Sequence, residues 1–293
     1  MGQQQAPKRT FPVRSAALMV AFVAAIQVCA LLFTYFIAPV TVSTGYSFAP
    51  GGTSAAGSAT SALVLVAGAF VTTFLAVWLI KKKRANVFTW IISVATTLAL
   101  FLMTLLTTSA VASYLLDPNS GLVVSLVISA AVTIAFAYIT RTPRLYAVAP
   151  VITGLLSAEV GSIFASTIPI LTALLLAGVF SVYDIYAVFR GPLKQLVNIA
   201  PAETLTAVTS KVGEFTLGTG DTIFYSMLPA IALLESVSTT TFDYNLPFAL
   251  ATMVAIDVGV VMTLFLLSRS KMLPGLPIPM ALGLATLLAL TLL

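Results

Sequence analysis

Nine long apolar stretches separated by short polar breaks make up most of the chain: Ser15–Ala38, Ala62–Ile80, Val87–Ser109, Leu122–Ile139, Tyr146–Ser166, Ile168–Phe189, Phe215–Leu234, Leu246–Leu267 and Pro274–Leu293. Each approaches the roughly 20 apolar residues that carry a helix across a hydrocarbon core of about 30 Å. The fifth and sixth are divided only by Thr167, with Pro169 just beyond. Joined, they would form a helix of about 65 Å at about 1.5 Å per residue, twice that core, so a tight turn is predicted between them. The pattern predicts an all-α, polytopic membrane protein with nine transmembrane helices.

Composition removes most other classes. Of 293 residues, 59% are hydrophobic and only 8% charged, against about 25% charged in a soluble domain. Histidine is absent and cysteine occurs once, at Cys29, inside the first apolar stretch. A histidine base, a His-Glu zinc site, a Cys-His pair and an internal disulfide are therefore unavailable, and Cys29 reads as a small hydrophobe. The net charge of +5 sits in short clusters beside apolar stretches, which is a signal for membrane orientation rather than for nucleic acid.

With nine crossings, all fourteen basic residues fall on one side: Lys8, Arg9, Arg14, Lys81, Lys82, Lys83, Arg84, Arg141, Arg144, Arg190, Lys194, Lys211, Arg269 and Lys271. The other side has Asp117, Glu235, Asp243 and a Gly/Ser/Ala/Thr-rich connection from Thr44 to Ser61. Positive residues mark the cytoplasmic face, so the N-terminus is expected in the cytoplasm and the C-terminus outside, in the cell membrane. The first stretch is too long for a cleavable signal and is expected to remain as an anchor. Three parts are expected: residues 1–190 with six helices, a cytoplasmic loop 191–214 containing Pro192 and Pro201, and residues 215–293 with three helices. The loop is mildly amphipathic, fit to lie on the membrane surface or to stay disordered.

Four of nine acidic residues lie inside predicted crossings: Glu159, Asp184, Asp221 and Asp257. A central aspartate costs about 2.5–3.5 kcal/mol even on the mild insertion scale, so each is a candidate functional group. Asp184 precedes Arg190 by six residues and Asp221 follows Glu214 by seven, so both are expected about 10 Å below the cytoplasmic surface. Glu159 and Asp257 lie nearer mid-membrane and are expected to form a second, structural or ion-handling pair. The glycines of Gly218-Thr219-Gly220-Asp221 are expected to loosen their helix and admit another backbone or water. Pro274-Gly275-Leu276-Pro277-Ile278-Pro279 is expected to enter the membrane extended or as a broken helix with free backbone groups.

Tyr183-Asp184, Gly218-Thr219-Gly220-Asp221 and Pro274-Gly275-Leu276-Pro277, on the sixth, seventh and ninth crossings, resemble the three motifs of the presenilin and signal-peptide-peptidase family of intramembrane aspartyl proteases. The flanks Asp221 to Ser226 and Gly191 to Val197 look more like presenilin. The compact build resembles prokaryotic, archaeal members. The last motif has Gly275 where the family usually has alanine, a small-for-small change expected to be tolerated. The shorter loop before the seventh crossing leaves self-cleavage in doubt.

The resemblance implies a presenilin-like bundle in which Asp184 and Asp221 are catalytic, Tyr183, Gly218 and Gly220 support them, and Pro274, Gly275, Leu276 and Pro277 position substrate. The expected partners are transmembrane-helix protein substrates and the lipid bilayer, without nucleic acid, metal or cofactor. Accessory subunits and oligomerisation stay open. Two carboxyls sharing a proton would activate water against a peptide bond. Tyr183 is expected either to position a carboxyl or to pack beside it. The rivals are a proton- or cation-coupled transporter with the acids staggered along a path, and an ion-leak channel.

Overall fold

The computed structural model describes residues 11–44, 47, 54–82, 85–189, 209–235, 243–269 and 273–292. Among these are nine α-helices: α1 (Val13–Thr44), α2 (Ala55–Lys81), α3 (Ala85–Leu115), α4 (Pro118–Arg141), α5 (Ala149–Thr167), α6 (Ile170–Phe189), α7 (Thr219–Leu233), α8 (Leu246–Arg269) and α9 (Pro277–Thr291). A 3-10 turn, Pro143–Leu145, precedes α5, and an antiparallel hairpin of β1 (Thr209–Val212) and β2 (Phe215–Gly218) precedes α7. Among the described residues the fold is all-α apart from this hairpin.

Seven helices, α1 to α6 and α8, are long and apolar enough to cross a membrane, so this is a multi-pass membrane protein. The expected count of nine is not met by length, because α7 and α9 have 15 residues each and rise only about 22 Å. The break between α5 and α6 falls at Ile168 and Pro169, as the length argument required.

Several helix boundaries differ from the sequence expectation. The second helix starts at Ala55 rather than Ala62, with the Ser54 hydroxyl accepting from the Gly57 amide. Small residues that looked like a flexible connection are helical because a serine cap satisfies the first turn. The seventh helix starts at Thr219 rather than Phe215, since Phe215–Gly218 pairs with Thr209–Val212 as a strand. The two-residue turn between them places Gly213 at φ 62°, which glycine adopts without steric cost. The expected loop 191–214 lies largely outside the described residues, Pro192 and Pro201 included; its described end, from Thr209, is this hairpin.

Helix α5 is the centre of the bundle, two-thirds buried, and packs on α1, α3 and α7. Gly154, Ser157, Ala158, Gly161, Ser162 and Ala165 line its buried surface. Such small residues let helix backbones approach where the lipid supplies no hydrophobic drive to associate. A Cβ on Gly161 would overlap the Ser226 hydroxyl and stand 3.0 Å from the Ile223 carbonyl oxygen. Helix α1 buries a stripe at Ala16, Met19, Val23, Ile26, Ala30, Thr34 and Ile37 and leaves Leu18, Val28, Leu32 and Tyr35 exposed, the three-and-four spacing of one helix face.

Candidate active site

The start of α7 is built by what precedes it. Phe215 and Leu217 are buried from one face of β2, and the Ser210 hydroxyl of β1 meets Thr153 of α5 at 2.8 Å. The hairpin turn also abuts α1, where a Cβ on Gly213 would stand 2.7 Å from the Ser15 hydroxyl. With the hairpin pinned between α1 and α5, the strand ends at Gly218, the N-cap of α7. Asp221 then falls three positions into the first turn, and its carboxyl lies back beside the Gly218 cap, where a Cβ on Gly218 would stand 3.4 Å from its Oδ2.

Thr222, the next residue, is fully buried and bonds Ser157 of α5 at 2.7 Å; one turn on, the Ser226 hydroxyl donates to the Ser157 carbonyl at 3.0 Å. These hydroxyls key α7 to the most buried helix and fix the rotation that aims Asp221 away from α5. Sequence reasoning missed them. Their signal was Thr222 and Ser226, four apart beside Asp221, which give an apolar helix one polar stripe.

Asp184 reaches the same place from the last turns of α6, and its carboxyl oxygen Oδ2 accepts from the Leu276 amide at 3.0 Å. On the other side of the Gly275–Leu276 dipeptide, a Cβ added at Gly275 would stand 2.6 Å from Asp221 Oδ2. Both aspartates are half-buried. Tyr225, buried one turn beyond Asp221, donates its hydroxyl to the Gly275 carbonyl at 2.7 Å. Gly275 therefore touches Asp221 and Tyr225, and its neighbour Leu276 holds Asp184.

The segment Pro274 to Pro279 departs from its expectation. Only Pro274 to Leu276 are non-helical; Pro277 and Pro279 sit inside the first turn of α9, whose first bond runs from the Met280 amide to the Leu276 carbonyl. Prolines fit there because those amides have no acceptor within a helix anyway. The Leu276 amide and Gly275 carbonyl are also engaged, by Asp184 and Tyr225, so they are not free backbone groups. Gly259 of α8 admits Pro279 closely, since a Cβ there would lie 2.5 Å from the Pro279 Cα.

The remaining candidates separate. Gly220 is exposed with nothing within 4 Å of its would-be Cβ, and Gly218 caps α7 rather than loosening it. Of the motif glycines, Gly275 is the one that admits a neighbour closer than 3 Å. Tyr183 points to α2, bonding Thr73 at 3.2 Å and packing edge-on against Phe70 at 4.8 Å. Its groove with Gly178, Val179, Val182 and Tyr186 is almost wholly apolar.

Glu159 and Asp257 do not pair. The buried Glu159 accepts from Thr104 of α3 at 3.0 Å, while the Asp257 Oδ1 is buried without a hydrogen-bond partner. Among the described residues no group of three His, Cys, Asp or Glu side chains gathers.

No family model and no curated protein matches the chain. Its fold matches that of a presenilin-family intramembrane aspartate protease solved in two crystal forms. In the C222 form the TM-score is 0.64 at 21% identity, over 94% of this chain and 100% of that one. In the P2 form it is 0.60 at 22% identity, over 97% and 99%. At this identity the likeness establishes the presenilin-type fold.

Proposed function

We propose that the chain is an intramembrane-cleaving aspartyl protease that hydrolyses peptide bonds of membrane-spanning substrates through Asp184, Asp221 and one activated water. The observation that carries this is that both carboxyls approach the Gly275–Leu276 dipeptide, one on the Leu276 amide and the other against the Gly275 Cα. The fold shared with intramembrane aspartate proteases supports the same reading.

In the reaction one carboxyl is ionised and the other protonated, because two neighbouring carboxylates in a low-dielectric site share a proton. The ionised member takes a proton from water as its oxygen attacks the scissile carbonyl carbon, and the protonated member donates to the carbonyl oxygen. A proton then passes to the amide nitrogen, the C–N bond breaks, and an amine and a carboxylic acid leave. The open space over Gly220 gives water and the unwound peptide room beside Asp221. Strand-like docking of that peptide falls to the hairpin at Thr209–Gly218 rather than to Gly275–Leu276, whose backbone groups are occupied.

In this reading α7 and α9 complete nine crossings, with the N-terminus cytoplasmic and the C-terminus outside, since that alone places every basic residue on one side. The rival, a cation-coupled transporter, needs acids staggered along a path. Glu159 is instead turned to α3 and hydrogen-bonded there.

The test is cleavage of a single-pass membrane substrate by purified protein in liposomes, comparing wild type with Asp184→Asn and Asp221→Asn. The proposal expects cleavage abolished in both variants. Cleavage that persists in both, or ion flux without cleavage, would overturn it.

A further inference from the structure

The carbonyl of Tyr225 lacks the partner that a regular helix would give it. It would accept from the amide four residues on, and that residue is Pro229, which has no N–H. Gln27, from the middle of α1, donates its side-chain Nε2 to this carbonyl instead, at 3.4 Å. Gln27 is completely buried, and its amide oxygen has no hydrogen-bond partner. It is also the one amide-bearing or charged residue between Ser15 and Thr44. Apolar surroundings make a buried amide expensive unless it is hydrogen-bonded, so its bond to Tyr225 is the interaction that accounts for it.

Tyr225 is tied at both ends. Its carbonyl is held by Gln27, and its hydroxyl holds the Gly275 carbonyl, beside the Leu276 amide that binds Asp184 and the Cα against which Asp221 rests. Its own amide occupies the helix rung whose acceptor is the Asp221 carbonyl. A turn of α7 weakened by Pro229 would otherwise swing the hydroxyl and the aspartate together.

We infer that Gln27 is a positioning residue for the carboxyl pair: it replaces the helix bond that Pro229 removes, and so fixes the turn of α7 that sets Tyr225, Gly275 and Asp221. The inference rests on the reading of Asp184 and Asp221 as the reacting groups. A merely packing role makes a different prediction. Leucine has nearly the shape of glutamine and leaves no orphan amide, so Gln27→Leu would then be neutral or stabilising whatever stands at position 229.

The experiment is a double-mutant cycle of Gln27→Leu and Pro229→Ala in liposomes. Its readouts are kcat and KM on a single-pass substrate, and hydrogen–deuterium exchange of the segment 219–233 without substrate. Alanine at 229 restores an amide that can meet the Tyr225 carbonyl, so the two changes must couple. Gln27→Leu alone is expected to lower kcat about tenfold with KM within about twofold, and to speed exchange in 219–233. In the Pro229→Ala background both effects of Gln27→Leu are expected to shrink below about twofold.

Equal effects of Gln27→Leu in both backgrounds, or none in either, would overturn the inference. If Gln27→Leu alone fails to fold, recovery of folding in the double variant supports it and continued failure overturns it. A wild type that cleaves nothing would remove the protease reading, while the exchange cycle still decides the Gln27–Tyr225 link.

Discussion

Gly275 and Asp221 leave no room between them for a methyl group: a Cβ at 275 would stand 2.6 Å from the Asp221 Oδ2 and 3.1 Å from its Cγ. In Gly275→Ala the overlap falls on the tip of a side chain, which can turn, rather than on backbone. The carboxyl should rotate while the fold survives. Cleavage is expected to fall about 10- to 100-fold, as a displacement near 1 Å at a reacting group costs, with Tm within a few degrees of wild type. Kinetics paired with thermal unfolding check this; a fully active alanine variant would show that Asp221 does not act from this position.

Tyr225→Phe removes the donor to the Gly275 carbonyl and nothing else of its shape. A part-buried carbonyl left unpaired costs up to about 1–3 kcal/mol, which loosens the turn holding Asp184. A kcat loss of about fivefold or more is expected, with little change in KM, measured on the same substrate.

Glu159 gives the sharpest contrast with a transport mechanism. Its carboxyl is satisfied by Thr104, and an amide accepts from the same hydroxyl equally well. Cleavage by Glu159→Gln is expected within about twofold of wild type, whereas Thr104→Val should lower unfolding stability by about 1 kcal/mol by stranding a buried acid. Complete loss of activity in Glu159→Gln would favour a proton path through the bundle.

Gly161→Ala tests the seating of α7 on α5. The added methyl would overlap Ser226 and press on the Ile223 carbonyl and the Met227 nitrogen at 3.0 Å. Overpacking against backbone costs about 1–3 kcal/mol, so Tm should drop and cleavage fall with it, both recovering partly when Ser226→Gly is added. Unchanged melting would mean that the two helices are further apart.

Acid sensitivity has one legible contributor outside the spans. Asp117 caps α4, accepting from the Ser120 hydroxyl and from its amide at 3.1 Å. These bonds hold its carboxyl below the ordinary value. A lowered folded value means stability present above the unfolded carboxylate value, about 3.9, and lost as pH falls through the folded one. Asp117→Asn keeps the cap without the charge, so its melting curve should flatten below about pH 4 relative to wild type.

Seven long apolar helices and four carboxyls set within helices were legible in the sequence because each answers to a local constraint. A helix crossing lipid must be apolar over a set length, and an aspartate within it stands out by its cost. The break at Ile168–Pro169 followed from the same length. What the tertiary structure decided were relations set by helix rotation and by which neighbour lies where. Phe215–Gly218 became a strand because residues 209–212 lie beside it. Tyr183 turned to Thr73, and Glu159 to Thr104 rather than to Asp257. Gln27 met the carbonyl that Pro229 orphans across 198 residues. A sequence records that a helix carries a polar group, but the partner depends on how that helix turns against its neighbours, and in a chain with so few polar residues each such pairing is settled only when the helices close.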